Sequence, residues 1–309
     1  MKNVSGEIQF VYDGSASLRE TDAWKLPKGI DQVSEEVSFW ITTENGRQWE
    51  DKPKGFTPKD YAEIMELFKT PGMLQTSQPN KARWLPAFER RKAAGAKDIF
   101  VFAMDTFKND DNPMSGSKAC SEEAADEFMS KNPGIEVHVL PHRTTSVDLG
   151  LLAIKFFEDL RQEEPFTAQQ LADRTLQRAK QVYEAQIVDG LDYLHEGGRV
   201  SKTQQIFGGV LLVKPVIGLE NGKIIQRGKP KGMMKACKFA VDKLVELVTD
   251  NPVRLAFADC QAPEYLEIMQ EYATGKFNET GERVITASPW VLNVHLGHSA
   301  VVAALVDNI

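Results

Sequence analysis

Apolar stretches of strand length alternate with amphipathic helical stretches through the first half of the chain, and this alternation most constrains the fold. Strands are predicted at residues 6–12, 99–104 and 135–140, and helices at residues 81–94, 117–130 and 146–161, the last with Ser146 as its N-cap. Short apolar runs separated by helices are typical of parallel strands joined by helical crossovers. The pattern therefore predicts an α/β region whose parallel sheet is covered on both faces.

A further helix of this region carries start and stop signals at both ends. Thr57 is suited to the N-cap, Pro58 to the first helical position, and Pro71-Gly72 to the end. Within the helix, four apolar side chains recur at helical spacing and form one face: Tyr61, Ile64, Met65 and Phe68.

The pattern changes after Glu163-Glu164-Pro165, which marks the predicted boundary between an α/β domain (residues 1–164) and an α+β domain (residues 165–309). A capping box at Thr167–Gln170 opens a helix that is predicted to turn these side chains inward: Leu171, Ala172, Leu176, Ala179, Val182 and Tyr183. Asn221-Gly222 suits a type I′ turn between strands at residues 210–219 and 223–226. Helices are predicted at residues 233–248 and 263–273, and strands near residues 254–258 and 284–294. We expect a ligand between the two domains, at the carboxyl ends of the parallel strands.

Length and composition exclude several classes of protein. A chain of 309 residues favours two domains, and 42% apolar with 26% charged residues is typical of a soluble globular protein. The apolar run Ala300 to Val306 is far shorter than the ~20 residues of a membrane span, and the N-terminus lacks an apolar export signal. Cys120, Cys237 and Cys260 show no pattern of a disulfide framework or zinc site, which predicts a cytoplasmic protein.

Charge is concentrated in one segment. The net charge of −7 argues against a nucleic-acid-binding protein, yet residues 199–238 hold nine basic residues against one acid, a local charge of +8. A basic segment on an acidic protein attracts an anionic ligand or an acidic partner surface. The alternative is a solvated face whose charges pair with acids elsewhere in the fold.

Polar loop clusters are the candidate sites. Small hydroxyl residues and glycines gather at residues 13–15, 76–80, 115–117, 197–201 and 295–299. Hydroxyls and glycine amides at helix starts are suited to holding a carboxylate or phosphate. Taken singly, each cluster also fits an ordinary helix cap or turn.

Three common catalytic or nucleotide-binding motifs are missing from the sequence. It contains no Gly-x-Ser-x-Gly, no Walker A sequence and no Gly-x-Gly-x-x-Gly. His295 and His298 are three residues apart, but no further ligand cluster accompanies them, so no metal site is expected. The residues alone indicate binding of a small anion between two domains. An enzyme that uses Ser115 with His295 or His298 on an acyl or phosphoryl ester remains the alternative.

At these clusters the sequence resembles the DegV family of bacterial fatty-acid-binding proteins. The resemblance is carried by residues 191–201, by Thr76-Ser77-Gln78-Pro79, by His295-x-Gly297, and by Asp13-Gly14-Ser15, where the family usually has Asp-Ser-Thr. Further matching residues lie at 211–217, 221–224 and 229. The matches follow in order from about residue 8 to residue 303.

The resemblance implies a two-domain carrier that buries one long-chain fatty acid in an apolar tunnel and has no cofactor and no catalysis of its own. It implies that a separate ATP-binding fatty acid kinase subunit phosphorylates the carboxylate, and that the acyl phosphate enters phospholipid synthesis. The implied carboxylate-binding residues are Thr76, Ser115, Gly116, Ser117 and His295, with Gly116 and Ser117 contributing backbone amides. The implied residues at the mouth, facing phosphate and kinase, are Arg199, Lys229 and Lys231. A carrier of this kind can contact a membrane transiently without spanning it.

The chain departs from the family pattern near the implied head-group site. Residues 103–114 form a longer and more acidic loop than is usual, and Lys231 stands where an arginine is common. Lysine lacks the bidentate fork with which arginine holds phosphate. These departures leave open a carrier of a different apolar acid.

Overall fold

The computed structural model describes residues 7–51, 56–109, 112–200 and 213–308. Its strands are β1 (Ile8–Asp13), β2 (Ser34–Val37), β3 (Phe39–Thr42), β4 (Gln48–Asp51), β5 (Gln75–Ser77), β6 (Asp98–Phe102), β7 (Phe107–Asn109), β8 (Asn112–Pro113), β9 (Glu136–Val139), β10 (Val182–Val188), β11 (Val216–Glu220), β12 (Lys223–Gly228), β13 (Pro252–Cys260), β14 (Asn278–Glu279), β15 (Val284–Ala287) and β16 (Ser299–Val306). Its helices are α1 (Ile30–Val33), α2 (Pro58–Phe68), α3 (Lys81–Ala93), α4 (Ser117–Lys131), α5 (Ser146–Leu160), α6 (Ala168–Ala179), α7 (Asp192–Glu196), α8 (Met233–Val248), α9 (Pro263–Ala273) and α10 (Trp290–Leu296).

The N-terminal region is built on a parallel sheet with the strand order β2-β1-β6-β9. Side chains of α3 and α4 pack on one face of this sheet, and side chains of α5 pack on the other. This is the parallel sheet covered on both faces that the alternation of strands and helices predicts. A small antiparallel sheet, β4-β3-β5, belongs to the same half of the chain.

The second region is built on a larger mixed sheet. Its order is β14-β13-β16-β10-β11-β12-β7-β8, with β15 also pairing with β13, and the pairs from β13 through β16, β10 and β11 to β12 are antiparallel. Helices α8 and α9 pack on one face of this sheet. The hairpin β7–β8 comes from the N-terminal half of the chain, and Phe107 pairs with Lys223 at the edge of this second sheet.

Helix α5 joins the two sheets. Its side chains are buried almost all the way round, which is typical of an apolar helix enclosed by protein. One hydrophobic cluster runs from Phe10 and Phe100 of the parallel sheet through α5 to Val301 and Leu305 of β16. The predicted fold class, an α/β region followed by a second sheet-rich region, is confirmed. The division at residues 164 and 165 stays a prediction.

Local signals in the sequence agree with several elements. Thr57 and Asp60 form the reciprocal hydrogen bonds of a capping box at the start of α2, and Thr167 and Gln170 do the same at α6. Asn221 and Gly222 both have positive φ, 52° and 77°, as the type I′ turn between β11 and β12 requires. Helices α8 and α9 have the predicted bounds. Residues 201–212 belong in part to the predicted hairpin and in part to the family-like segments, and they lie outside the described residues.

Three predictions of local structure were wrong. Val182 and Tyr183 do not continue α6, because β10 begins there and pairs with β16 along its whole length. Residues 290–294 form helix α10 rather than a strand, since Pro289 has no amide hydrogen for a sheet and stands just before the first helical turn. Ser146 is the first residue of α5 and not its N-cap, a position taken by Thr145.

Candidate functional site

A cavity lies between the two sheets, and the centres of water molecules can occupy about 100 Å³ of it. Met104 and Thr106, which follow the carboxyl end of β6, contribute to its wall, as the parallel-sheet topology predicts. The apolar walls come from Phe39, Met104, Leu194, Ile217, Leu219, Ile224, Val291, Leu292 and Leu296. Apolar walls between two polar ends suit a ligand with a long apolar body.

One end of the cavity, here called the histidine end, consists of Thr76, Gln78, Ser115, Arg199 and His295. Thr76 lies on β5, and His295 lies in the last turn of α10. The Thr76 hydroxyl oxygen is 2.8 Å from His295 Nε2. The fold thus brings together two residues that are 219 positions apart in the chain.

The His295 ring is enclosed and uncharged. Burial lowers the pKa of His295 to about 3, and the positive charges of Arg199 and Lys108 act in the same direction. A Cβ on Gly197 would lie 2.3 Å from His295 Nδ1, so only glycine lets α7 end against this ring. Among the described residues, Nδ1 has no hydrogen-bond partner. A neutral imidazole beside a hydroxyl can orient that hydroxyl without adding charge.

Ser115 is positioned by a buried network that begins at Asp13. Asp13 accepts hydrogen bonds from Ser15 N and Oγ at 3.1 and 2.5 Å, from Met104 N at 2.7 Å and from Ser117 Oγ at 2.5 Å. Ser117 N in turn donates to Ser115 Oγ at 3.2 Å. Burial raises the pKa of Asp13, and the hydrogen bonds act against that rise. The start of α4 is thereby tied to the end of β1.

The predicted amide donors Gly116 and Ser117 are engaged within the protein. Gly116 N donates to Gln78 Oε1 at 3.0 Å, and Ser117 N donates to Ser115 as described. Neither residue contributes to the cavity wall, whereas Thr76, Ser115 and His295 do. Sequence reasoning did not single out Gln78, although it lies inside the family-like segment at residues 76–79. The roles assigned to these residues stay predictions.

Arg199 brings positive charge to the histidine end. Its Nη1 donates to Gly197 O and its Nη2 donates to Met114 O at 3.3 Å, while no carboxylate lies within ion-pair distance among the described residues. Lys108 on β7 adds a second charge that acts on His295. The sequence gives a single lysine in this segment no functional signal, and it did not predict a role for Lys108. Lys229 and Lys231 are exposed and lie outside the cavity wall, and their predicted role stays untested.

The opposite end of the cavity, here called the acidic end, is also polar. Thr145 and Ser146 reach it from the start of α5, and Glu184 and Gln186 reach it from β10. The sequence offered no signal for this end. The side chains of a strand become neighbours of a helix start only through tertiary packing.

The geometry does not form a nucleophile–base pair at Ser115. His295 Nε2 contacts Thr76, and His298 Nδ1 lies 3.0 Å from Gln261 O, so in the described part of the chain neither ring nitrogen is hydrogen-bonded to Ser115. An activated serine needs such a contact to its base. Within the described ranges, no cluster of three or more histidine, cysteine or acidic residues could hold a metal ion. The same ranges contain no helix that is long and apolar enough to cross a membrane.

Comparison with known proteins gives a consistent result. Residues 8–307 match the profile of a family described as "Uncharacterised protein, DegV family". A DegV domain-containing protein of Staphylococcus aureus is 27% identical over 204 residues, which cover 65% of this chain and 67% of the relative.

Solved structures with the same fold include two whose descriptions name fatty acids. A DegV family protein from Thermus thermophilus, described for its fatty acid binding, is 19% identical, with a TM-score of 0.80 over 97% of this chain and 100% of that chain. The fatty acid kinase B3 protein of Streptococcus pneumoniae, loaded with linoleic acid, shows the same identity, TM-score and coverage.

Proposed function

Because this chain belongs to the DegV family, we propose that it binds a long-chain fatty acid in the cavity, with the carboxylate at the histidine end. The observation that carries the proposal is the cavity itself, in which hydroxyl, amide and guanidinium groups at one end meet apolar walls. The fatty acids named for the Thermus and Streptococcus proteins support the same ligand class.

The energetics divide between the two parts of such a ligand. At about 0.8 kcal/mol per buried methylene, a chain of about 14 methylenes contributes roughly 11 kcal/mol of gross transfer free energy. Hydrogen bonds to a charged head contribute about 1.5–3 kcal/mol each and largely offset the desolvation of the carboxylate. Affinity therefore comes from the apolar walls, and orientation comes from the histidine end.

Thr76 and Ser115 are the proposed donors to the carboxylate. If His295 Nε2 donates its hydrogen to Thr76 Oγ, the Thr76 hydroxyl hydrogen is free to point at the ligand. Ser115 Oγ already accepts from Ser117 N, so its own hydrogen is likewise free to donate. Because the His295 ring is neutral, it is Arg199 that supplies positive charge for the carboxylate.

We further propose that the protein presents the carboxylate to a separate ATP-binding kinase subunit and has no catalysis of its own. Arg199 and Lys108 place positive charge at the histidine end, where a phosphoryl group would be transferred, and the exposed Lys229 and Lys231 would face the partner. The fatty acid kinase named for the Streptococcus protein supports this role. The acyl phosphate would feed phospholipid synthesis. The free thiols of Cys120, Cys237 and Cys260 fit a cytoplasmic setting.

The binding proposal is tested by mass spectrometry of the purified protein, first in native form and then after organic extraction. We expect one fatty acid per chain and a defined range of chain lengths. A protein that emerges empty, and that takes up no fatty acid when incubated with a mixture, contradicts the proposal. Turnover of acyl phosphate or an activated ester by the protein alone would instead favour the enzyme alternative.

The role of the histidine end is tested by Ser115→Ala. We expect this variant to weaken phosphoryl transfer in a coupled kinase assay more than it weakens retention of the fatty acid, because Ser115 orients the head and the walls hold the chain. Ser130→Ala is the matched control, since Ser130 is exposed near the end of α4 and its hydroxyl donates to Glu127 O within the same helix. Equal loss of transfer and retention in Ser115→Ala refutes this division of roles.

A further inference from the structure

The acidic end is separated from the residues next to the histidine end by several positions of strand β10. On β10, Val188 pairs with Ser299, and the next residue, Asp189, donates its amide to His298 O, close in the chain to His295. Glu184 lies four residues before Val188 on the same strand, which corresponds to about 13 Å. A ligand whose carboxylate is at the histidine end therefore places the distant part of its chain beside Glu184.

Three oxygens at or next to the acidic end are buried without a hydrogen-bond partner among the described residues. They are Thr145 Oγ1, Asp148 Oδ1 and Glu184 Oε2. Asp148 and Glu184 are only 2% and 4% exposed, and Glu184 forms part of the cavity wall. A buried polar atom without a partner is costly, so such atoms call for an explanation.

The two acids share one environment. Burial, with the nearby charge of Glu184, raises the pKa of Asp148 well above its ordinary value. Burial also raises the pKa of Glu184 to about 7, although the positive charge of Arg227 opposes this rise. At neutral pH the pair therefore holds at least one proton, and it offers a hydrogen-bond donor beside an acceptor.

Arg227 does not satisfy these carboxyl groups. Its Nε donates to the backbone oxygen of Glu184 at 2.7 Å, its Nη2 donates to Leu219 O at 3.3 Å, and its Nη1 contacts the exposed Glu220 at 3.3 Å. The guanidinium is thus committed to the backbone and to Glu220. Glu184 Oε2 is left without a partner among the described residues, and Glu184 contributes to the cavity wall.

We propose that the cavity is built for an acyl chain that carries a hydroxyl group distant from its carboxylate. A hydroxyl can donate to Glu184 and accept from Thr145, both of which contribute to the cavity wall, whereas a plain methyl-ended chain offers these residues neither a donor nor an acceptor. A second carboxylate at this place would be repelled by the acids. This inference rests on the proposed fatty-acid binding and narrows its substrate class.

The test compares acids of one chain length on the delipidated protein. The probes are the unsubstituted fatty acid and a series of its hydroxy derivatives that differ only in the position of the hydroxyl, measured by competition with a fluorescent fatty acid. We expect at least one distal position to bind about tenfold more tightly than the unsubstituted acid, the value of one buried hydrogen bond. Lipids extracted from the purified protein should be enriched in hydroxylated chains.

Variants assign the preference to the acidic end. Glu184→Leu should remove the preference and favour the unsubstituted acid, whereas Glu184→Gln, which can still donate and accept, should keep part of it. Glu267→Leu is the matched control, because Glu267 is an exposed acid on α9 outside the cavity wall, and it should keep the full preference.

The outcomes separate this inference from the proposed function. If the unsubstituted acid binds as tightly as every hydroxy acid, the inference is overturned while fatty-acid binding stands. If a preference exists but survives in Glu184→Leu, the acidic end is not its source and the inference is also overturned. If no acid of either kind binds, the proposed function fails as well.

Discussion

Buried carboxyl groups lie near both ends of the cavity, and they differ in their hydrogen bonding. Near the histidine end, Asp13 accepts four hydrogen bonds and holds the loop that presents Ser115. At the acidic end, Glu184 and Asp148 each keep an oxygen with no partner in the described part of the chain. Burial raises the pKa of all three acids. The comparison shows that hydrogen bonding, and not burial, distinguishes an acid that stabilises the fold from one that is available to a ligand.

The largest expected effect is on the Asp13 side of this comparison. Asp13→Ala should lower the free energy of unfolding by about 4 kcal/mol, because it leaves the donors of Ser15, Met104 and Ser117 buried without an acceptor. Urea unfolding measures the loss. Asp31→Ala, which removes an exposed acid, is the control and should change stability by less than about 0.5 kcal/mol. A small loss of stability in Asp13→Ala would show that the hydrogen bonds to Asp13 do not stabilise the fold.

The second expected effect concerns pH and has the opposite sign. The pKa of Glu184 is raised from 4.5 to about 7 in the folded protein, so between these values the folded state binds more protons than the unfolded state. The contribution of Glu184 to stability is therefore present below pH 4.5 and is lost as the pH rises to about 7. The free energy of unfolding of Glu184→Gln should therefore rise by about 3 kcal/mol relative to that of the wild type as the pH increases across this range.

Urea unfolding of the delipidated proteins at several pH values measures this difference. Subtracting the two curves removes the contribution of other buried acids such as Glu36, whose pKa burial also raises to about 7. Glu267→Gln, at an exposed acid of α9, should run parallel to the wild type. Parallel curves for Glu184→Gln would show that Glu184 keeps its ordinary pKa.

A third prediction concerns the positive charge at the histidine end. Arg199→Gln should weaken fatty-acid binding about tenfold, because it removes a partly buried cation beside the proposed carboxylate position. Lys235→Gln, a change of the same charge at an exposed position of α8, should leave the Kd unchanged. If both variants bind alike, the histidine end does not hold the carboxylate.

The smallest expected effect concerns chain length at Leu219. This side chain contributes both to the cavity wall and to an outer cleft beside α6, so it separates the two spaces. Leu219→Ala should shift the preference toward longer acids by about 0.8 kcal/mol for each added methylene that enters the cleft. Leu247→Ala changes a side chain of the cleft alone and should leave the preference unchanged. Competition among acids of increasing length decides between the two outcomes.

Much of the local structure could be predicted because its causes lie within a few residues. The capping boxes at Thr57 and Thr167 and the Asn221-Gly222 turn depend on short-range hydrogen bonds and on backbone preferences. Prediction from the sequence failed where a distant part of the chain determines the local structure. Val182 and Tyr183 fit a helical face, yet strand β16 draws them into β10.

The sequence by itself determined the fold class, the family, and the segments that carry Thr76, Ser115 and His295. Only the tertiary structure decided that these residues share a cavity wall with Arg199, that Ser117 is committed to Asp13, and that Lys108 acts on His295. It alone decided that Glu184 and Asp148, on a strand and a helix 36 positions apart, meet at the other end. Motifs and caps act through neighbours in the chain, whereas a buried charge is defined by every element that packs around it.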